Sequence, residues 1–204
     1  GVSKSEADAY KRIGIKANYV NNGKFFPESP AKKYNKDAFV IVTTGRAMRQ
    51  KNPALFNQIA SAFTDNAQIQ FIWIGDGNER NLLTSPNIKI TGWVERTEVE
   101  RLLQTADLYI STALWEGLSY AVLEAMSMRL PLLLSNCPGN SDLVITTVNG
   151  FLFDNTKQAV DFINLYLDRK QQLHKHGNES LNMLQTTFNV ERMANGYRKI
   201  YASL

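Results

Sequence analysis

Apolar, β-rich runs alternate with stretches of helical periodicity along almost the whole chain. The run "AFVIVTTG" (38–45) reads as a buried strand, followed by a helix over about 52–64 that starts on Pro53. "IQFIWIG" (69–75) is the next strand, with a short helix after "DGNER", and "IKITG" (88–92) is a shorter strand. Over about 95–106 the apolar positions Val99, Leu102, Leu103 and Ala106 recur at i, i+3, i+4 and i+7, the spacing of one helix face. "DLYIST" (107–112), "PLLLSN" (131–136) and "GFLF" (150–153) complete the strands. From about 156 to 203 the pattern is helical, with breaks expected around "HGNES" and "TTFNV".

Strands of near-continuous hydrophobicity separated by helices predict a parallel sheet covered on both faces. Right-handed crossovers then give an α/β, Rossmann-like, doubly wound domain. Residues 1–37 fit this scheme less well. "SKSEADAYKRIGI" predicts a helix leading into a short strand "NYVNNG" and then a Pro- and Lys-bearing loop, as in a connector to something upstream. The expected organisation is a connector over 1–37, a ligand-binding domain over 38–187 and a terminal helix over 188–204.

Composition adds limits. The chain has 204 residues, 44% of them hydrophobic, ample for a proper core. Cys137 is the single cysteine, so no internal disulfide forms, and it lacks an evident base partner, as an inert buried thiol does. No apolar run approaches the roughly 18 residues of a membrane span. A net charge of +4 fits either a lysine-rich solvated surface or attraction to anions. No Asp-x-Asp or His cluster suggests a metal, and His174 and His176 read as surface residues without a role.

Candidate chemistry gathers at the predicted strand ends. In "STALWEGLSYAVLEAMSM", Glu116 and Glu124 lie eight residues apart, about 12 Å if both were on one helix. That is too far for an acid/base pair acting on one glycosidic bond. Gly117 and Ser119 instead place Glu116 in a turn, with a helix starting near 118–120. One carboxylate then stands at the helix mouth and the other two turns inside, which suits a ligand with hydroxyls at both ends and an anion over the helix N–H groups. The alternative is a solvated Glu116 and a salt-bridged Glu124. In "TTGRAMRQKN", Gly45 ends a strand, and Arg46 and Lys51 are cations beside the crevice of a doubly wound sheet, able to clamp a diphosphate. "IGDGNER" has Arg80 where a dinucleotide fingerprint has its third glycine, so only a tight turn at Gly75 is inferred. After "ITG", Trp93 and Val94 are placed to meet a flat base, or to pack as ordinary apolar residues.

These motifs, in this order, together with "PGNSDLV", "NGFLF" and "FNVERMANGYRKIYASL", resemble the family 4 (group 1) retaining glycosyltransferases of the GT-B fold. Glu116-x7-Glu124 is similar to that family's paired-glutamate signature, and the match covers roughly 20–204. The resemblance implies that this is the second, donor-binding half of a two-domain enzyme. It assigns Arg46 and Lys51 to the diphosphate, Glu116 to the donor sugar and Glu124 to the ribose. Backbone around Gly117, Leu118 and Ser119 would touch sugar hydroxyls, and backbone near Trp93 and Val94 the base.

The activity implied is hexosyl transfer from a UDP- or GDP-sugar in bacterial capsule, lipopolysaccharide or other surface polysaccharide synthesis, with no cofactor and no metal. The implied partners are that donor and, through a preceding domain, a glycan or lipid-linked acceptor, not nucleic acid. The implied location is cytoplasmic, with peripheral contact at the inner face of the membrane as an option. The chain alone is expected to bind a donor without transferring it. The competing readings are a non-catalytic nucleotide-binding module and, against the broken glycine fingerprint, a nicotinamide-dependent oxidoreductase. Two departures from the family stand out: Arg129 occupies a usual glycine position, and Asp142 a position where Glu is frequent.

Overall fold

The computed structural model describes residues 1–25 and 38–202. Six strands form one parallel sheet: β1 (Phe39–Thr44), β2 (Ile69–Ile74), β3 (Ile88–Ile90), β4 (Leu108–Ser111), β5 (Leu132–Ser135) and β6 (Gly150–Phe153). Their order is β3-β2-β1-β4-β5-β6, the Rossmann order, so the winding reverses between β1 and β4. The register there pairs Ile41 with Leu108 and Val42 with Tyr109. A crevice necessarily opens beyond the carboxyl ends of these two strands, because the connections leaving them run to opposite faces.

Alternate residues of each strand feed two separate cores. Val40, Val42, Tyr109, Leu132 and Leu134 face one side. Ile41, Phe71, Trp73, Leu108, Ile110 and Leu133 face the other. The first side is covered by α3 (Arg96–Thr105), α4 (Tyr120–Ser127) and α6 (Lys170–Thr187). The second is covered by α2 (Pro53–Ser61) and α5 (Thr156–Asp168). Burial on both faces is why the strands read as continuous apolar runs rather than alternating ones.

Outside the sheet, α1 (Lys4–Arg12) opens the chain and α7 (Val190–Tyr201) lies towards its end. Ser3 caps α1 by accepting from the Glu6 N–H, and the Glu6 carboxylate accepts from the Val2 N–H in return, a reciprocal cap. The strand expected at "NYVNNG" does not form. Residues 18–24 run as a strap held at single points, with Lys24 N–H donating to the Phe188 carbonyl and Lys24 bridging to Asn189. The loop expected beyond it lies outside the described residues.

The helical tail differs from expectation in one place. Its break at "TTFNV" is present between α6 and α7, but α6 runs straight through "HGNES", and the first break falls at Arg169. Gly177 is not a breaker here. A β-carbon on it would lie 2.2 Å from the Arg129 carbonyl oxygen, so glycine lets α6 press directly on the backbone that joins α4 to β5. This approach buries one stripe of α6, and His176 lies on it at 1% exposure, contrary to its reading as a surface residue. His174 is exposed as expected. The His176 Nδ1 pairs with the Tyr166 hydroxyl at 2.8 Å.

Burial lowers the His176 pKa below its ordinary value, the neighbouring Lys175 acting in the same sense and a backbone contact at Thr147 against it. The unfolded chain therefore takes up a proton, below about pH 6.5, that the folded chain refuses. Stability is complete above that pH and falls as pH falls, by at most about 1.4 kcal/mol per pH unit from this group. Urea unfolding at pH 5 and pH 7.5 should show a smaller pH difference in His176→Gln than in the parent, and equal differences would exclude the histidine as the source.

Arg129 follows the α4 C-cap with φ +55°, the left-handed conformation that glycine adopts at no steric cost. Its guanidinium donates to Asn178 Oδ1 on the exposed side of α6. The arginine thus points outward, and the helix-to-strand turn keeps the geometry that a glycine would have supplied.

Candidate functional site

The crevice beyond β1 and β4 is built by three loops. The first leaves β1 at Gly45, whose φ is +143°. Its carbonyl accepts from the buried Trp73 indole N–H at 3.0 Å, and its N–H donates to Ile74 O. Gly75, at the end of β2, fits against it so closely that a β-carbon would lie 2.3 Å from the Gly45 oxygen. The "IGDGNER" segment is therefore a tight turn pressed on the Gly45 loop. Arg80, in place of a third glycine, pairs with Asp76 at 2.9 Å.

The second element is a short 3-10 turn, Arg49–Lys51, ahead of α2. Asn52 caps α2 from a left-handed conformation, accepting from Leu55 N–H, and Pro53 occupies the first turn. This turn is tied to the loop after β4. Thr112 Oγ1 donates to the Lys51 carbonyl at 2.7 Å, Leu114 N–H donates to the Gln50 carbonyl, and Gln50 Nε2 donates to the Trp115 carbonyl. Those bonds carry Lys51 across the switch point, where its ammonium meets Glu116 Oε1 at 2.5 Å. The Glu116 side chain is 8% exposed and that of Lys51 20%, so the pair is largely withdrawn from water.

The third element is the entry to α4. Glu116 lies in the turn and α4 begins at Tyr120, as the glycine-serine pattern predicts. Glu116 N–H donates to the Pro138 carbonyl, and Gly139, at φ +83°, lies against the Glu116 and Gly117 carbonyls. The N-cap residue Ser119 makes no side-chain cap to α4, and the first turn of the helix holds no acidic residue. Its N–H groups and the positive end of its dipole thus lie at the crevice, where Ser119 and Ala121 line the cavity.

These pieces enclose a cavity of about 390 Å³. Lys51, Ser119 and Glu124 are among its polar lining residues, and Gly45, Gly75, Trp93 and Val94 line it too. Trp93 is 68% exposed, an open aromatic face at the rim. Seven of the residues singled out from sequence therefore share one hollow. Glu116 joins them through Lys51, and Gly117 and Leu118 form the loop before α4. Arg46 is not brought in. It is exposed, does not line the cavity, and has no hydrogen-bond or ion-pair partner among the described residues.

Some participants gave no signal in the sequence. Thr44 and Val99 line the cavity as ordinary strand and helix residues. Lys24 reaches Glu124 Oε1 at 2.6 Å from a segment with no periodicity to mark it. Asp142 turns away from the cavity and accepts from the Ser5 N–H at the start of α1, at 3.2 and 3.3 Å. Burial pushes the Cys137 thiol up, consistent with an inert group. Burial also raises the Tyr109 phenol, against the opposing charge of nearby Lys51. No group of three or more His, Cys, Asp or Glu is placed to hold a metal ion among the described residues.

A doubly wound sheet with a cation and a helix N-terminus at its switch-point crevice has the architecture in which such folds place their ligand sites. The chain belongs to the glycosyl transferases group 1 family, whose pattern matches residues 25–183. It is 30% identical over 183 residues to the UDP-Gal:alpha-D-GlcNAc-diphosphoundecaprenol alpha-1,3-galactosyltransferase of Escherichia coli, covering 83% of this chain and 46% of that protein. It is 28% identical over 225 residues to the N,N'-diacetylbacillosaminyl-diphospho-undecaprenol alpha-1,3-N-acetylgalactosaminyltransferase of Campylobacter jejuni, covering 98% and 58%. The chain thus spans about half the length of these relatives. Among solved structures, Anabaena HepE in complex with UDP and glucose superposes with a TM-score of 0.83 at 19% identity, over 100% of this chain and 62% of that one. The C-terminal domain of a Francisella tularensis group 1 glycosyl transferase, LpcC, matches over 92% of this chain and 95% of its own length, with a TM-score of 0.66 at 14% identity. The fold is therefore that of the Rossmann-like, C-terminal half of GT-B glycosyltransferases.

Proposed function

We propose that this chain is the nucleotide-sugar-binding half of a retaining glycosyltransferase that moves a hexose from a UDP- or GDP-sugar to a lipid-linked or glycan acceptor in bacterial surface polysaccharide synthesis. The observation that carries the reading is that Lys51, paired with Glu116, lines one cavity together with Ser119 and Ala121 at the start of α4. The diphosphoundecaprenol compounds in the names of the two relatives favour a lipid-linked acceptor. UDP in the HepE complex, and in the E. coli relative's name, favours UDP over GDP.

In this reading the diphosphate lies over the α4 N–H groups with Lys51 as its counter-charge. Negative charge grows on the diphosphate as the sugar–oxygen bond breaks. A fixed ammonium and an oriented helix end stabilise that charge without having to reorganise. One donor of the Lys51 ammonium stays on Glu116, which holds the lysine in place and offers its other oxygen to a sugar hydroxyl. Glu124 takes the ribose hydroxyls, and the base lies by Trp93 and Val94. Exposed, and with no partner among the described residues, Arg46 would swing onto the phosphates once they arrive. The anomeric carbon becomes cation-like, and an acceptor hydroxyl attacks from the face the diphosphate leaves and passes its proton to the departing phosphate oxygen, which retains configuration.

No helix among the described residues is long and apolar enough to cross a membrane. Calorimetric titration with UDP, GDP, ADP and NAD tests the donor site. Binding of UDP or GDP in preference to ADP and NAD is expected. Preference for NAD, or no binding of any nucleoside diphosphate, would overturn the reading.

A further inference from the structure

Resting on that donor-site reading, we infer that Lys24 is a positioning residue that holds Glu124 in the rotamer able to grip a ribose diol. Glu124 sits on the second turn of α4 and lines the cavity. A glutamate there has three free torsions, and fixing them costs on the order of 1.5 kcal/mol of side-chain entropy. The Lys24 ammonium holds Oε1 at 2.6 Å, so the second oxygen of this cavity-lining residue is outside that contact.

The lysine itself is anchored along its backbone. Its N–H donates to the Phe188 carbonyl. Gly23 lies so close to Asn189 that a β-carbon would be 2.3 Å from the Asn189 oxygen. One residue earlier, Asn22 Nδ2 donates to the Leu118 carbonyl at 2.9 Å, in the loop that leads into α4. The strap therefore grips both the mouth of α4 and, through Lys24, its second turn. The two Lys24 and Glu124 side chains are only partly exposed, so water competes weakly for the pair.

Such a role predicts a loss confined to the sugar end of the nucleotide. The test compares UDP with 2′-deoxy-UDP by calorimetry on the parent chain, Lys24→Met and Lys24→Arg, with thermal unfolding of each as a control on folding. A carboxylate accepting from a hydroxyl should make the parent favour UDP by about 10-fold or more. Lys24→Met, which keeps the stem and loses the charge, should reduce that preference to about 3-fold or less, and Lys24→Arg should restore most of it. A merely structural role would weaken both nucleotides alike and leave their ratio unchanged. An unchanged or larger ratio in Lys24→Met overturns the inference while leaving the donor site intact. A parent chain that binds UDP but does not distinguish the deoxy form removes the role given to Glu124, and the inference with it. A parent chain that binds neither nucleotide sinks the donor-site reading itself.

Discussion

Replacing Lys51 with alanine should lower sugar transfer by the full-length enzyme by about 10²–10³-fold, the usual cost of removing one fixed stabiliser of transition-state charge. The effect has two parts. The variant loses the ammonium that faces the departing diphosphate. It also strands Glu116, its side chain 8% exposed, as a carboxylate without its counter-charge beside the proposed phosphate position. Nucleotide affinity should therefore fall as well, by about 10–100-fold, the range for a charge-assisted hydrogen bond. The two parts separate in the double variant Lys51→Ala with Glu116→Gln. Neutralising the glutamate removes the repulsion, so UDP affinity should partly recover while transfer does not. Titration calorimetry and turnover on the same preparations read both. If Lys51→Ala transfers sugar at the parental rate, the cation at the switch point is not the one that matters.

The second large effect is on folding. Gly177→Ala should destabilise the chain by about 3 kcal/mol, at the upper end of what overpacking costs. The added methyl would meet the Arg129 carbonyl oxygen at 2.2 Å and approach the Pro131 ring at 3.5 Å, and neither a backbone carbonyl nor a proline ring can swing aside. Relief requires α6 to move away from the turn between α4 and β5, opening the core that Leu181 and Leu184 share with Leu130 and Leu132. An alanine at an exposed helical glycine would instead stabilise by up to about 1 kcal/mol. The sign of the change in urea midpoint therefore decides between a packing glycine and an incidental one.

Much of the site was legible because its parts sit where strands end. Gly45, Gly75 and the Glu116–Ser119 turn each interrupt an apolar run, and in a doubly wound sheet such interruptions converge on one edge. The paired glutamates carried further information, since a turn at Gly117 put one before α4 and one within it. Lys24 and Thr44 were not legible. One follows a segment that reads as a short strand but runs as a strap, and the other looks like any strand residue. Arg46 illustrates the reverse. Its place after β1 suggested a clamp, yet it lies outside the cavity that its neighbour Gly45 lines.

The tail shows the same division. "TTFNV" broke the helices as read, because Asn189 caps α7 by accepting from Arg192 N–H, a signal local in sequence. "HGNES" did not break, because glycine has two uses and only the tertiary neighbour tells which applies. Against the Arg129 carbonyl it is a contact point, and the same contact carried His176 from the expected surface into the interior.

The sequence by itself determined the parallel sheet, its two covers and the helix that starts after Glu116, because hydrophobic period and caps act over a few residues at a time. Tertiary structure alone decided which charges meet. Lys51 and Glu116 are 65 residues apart and Lys24 and Glu124 are 100 apart, and no local pattern records a pairing made across strand order. Side-chain reach of a few ångströms is set by how whole elements pack, and packing is a property of the folded chain rather than of any stretch within it.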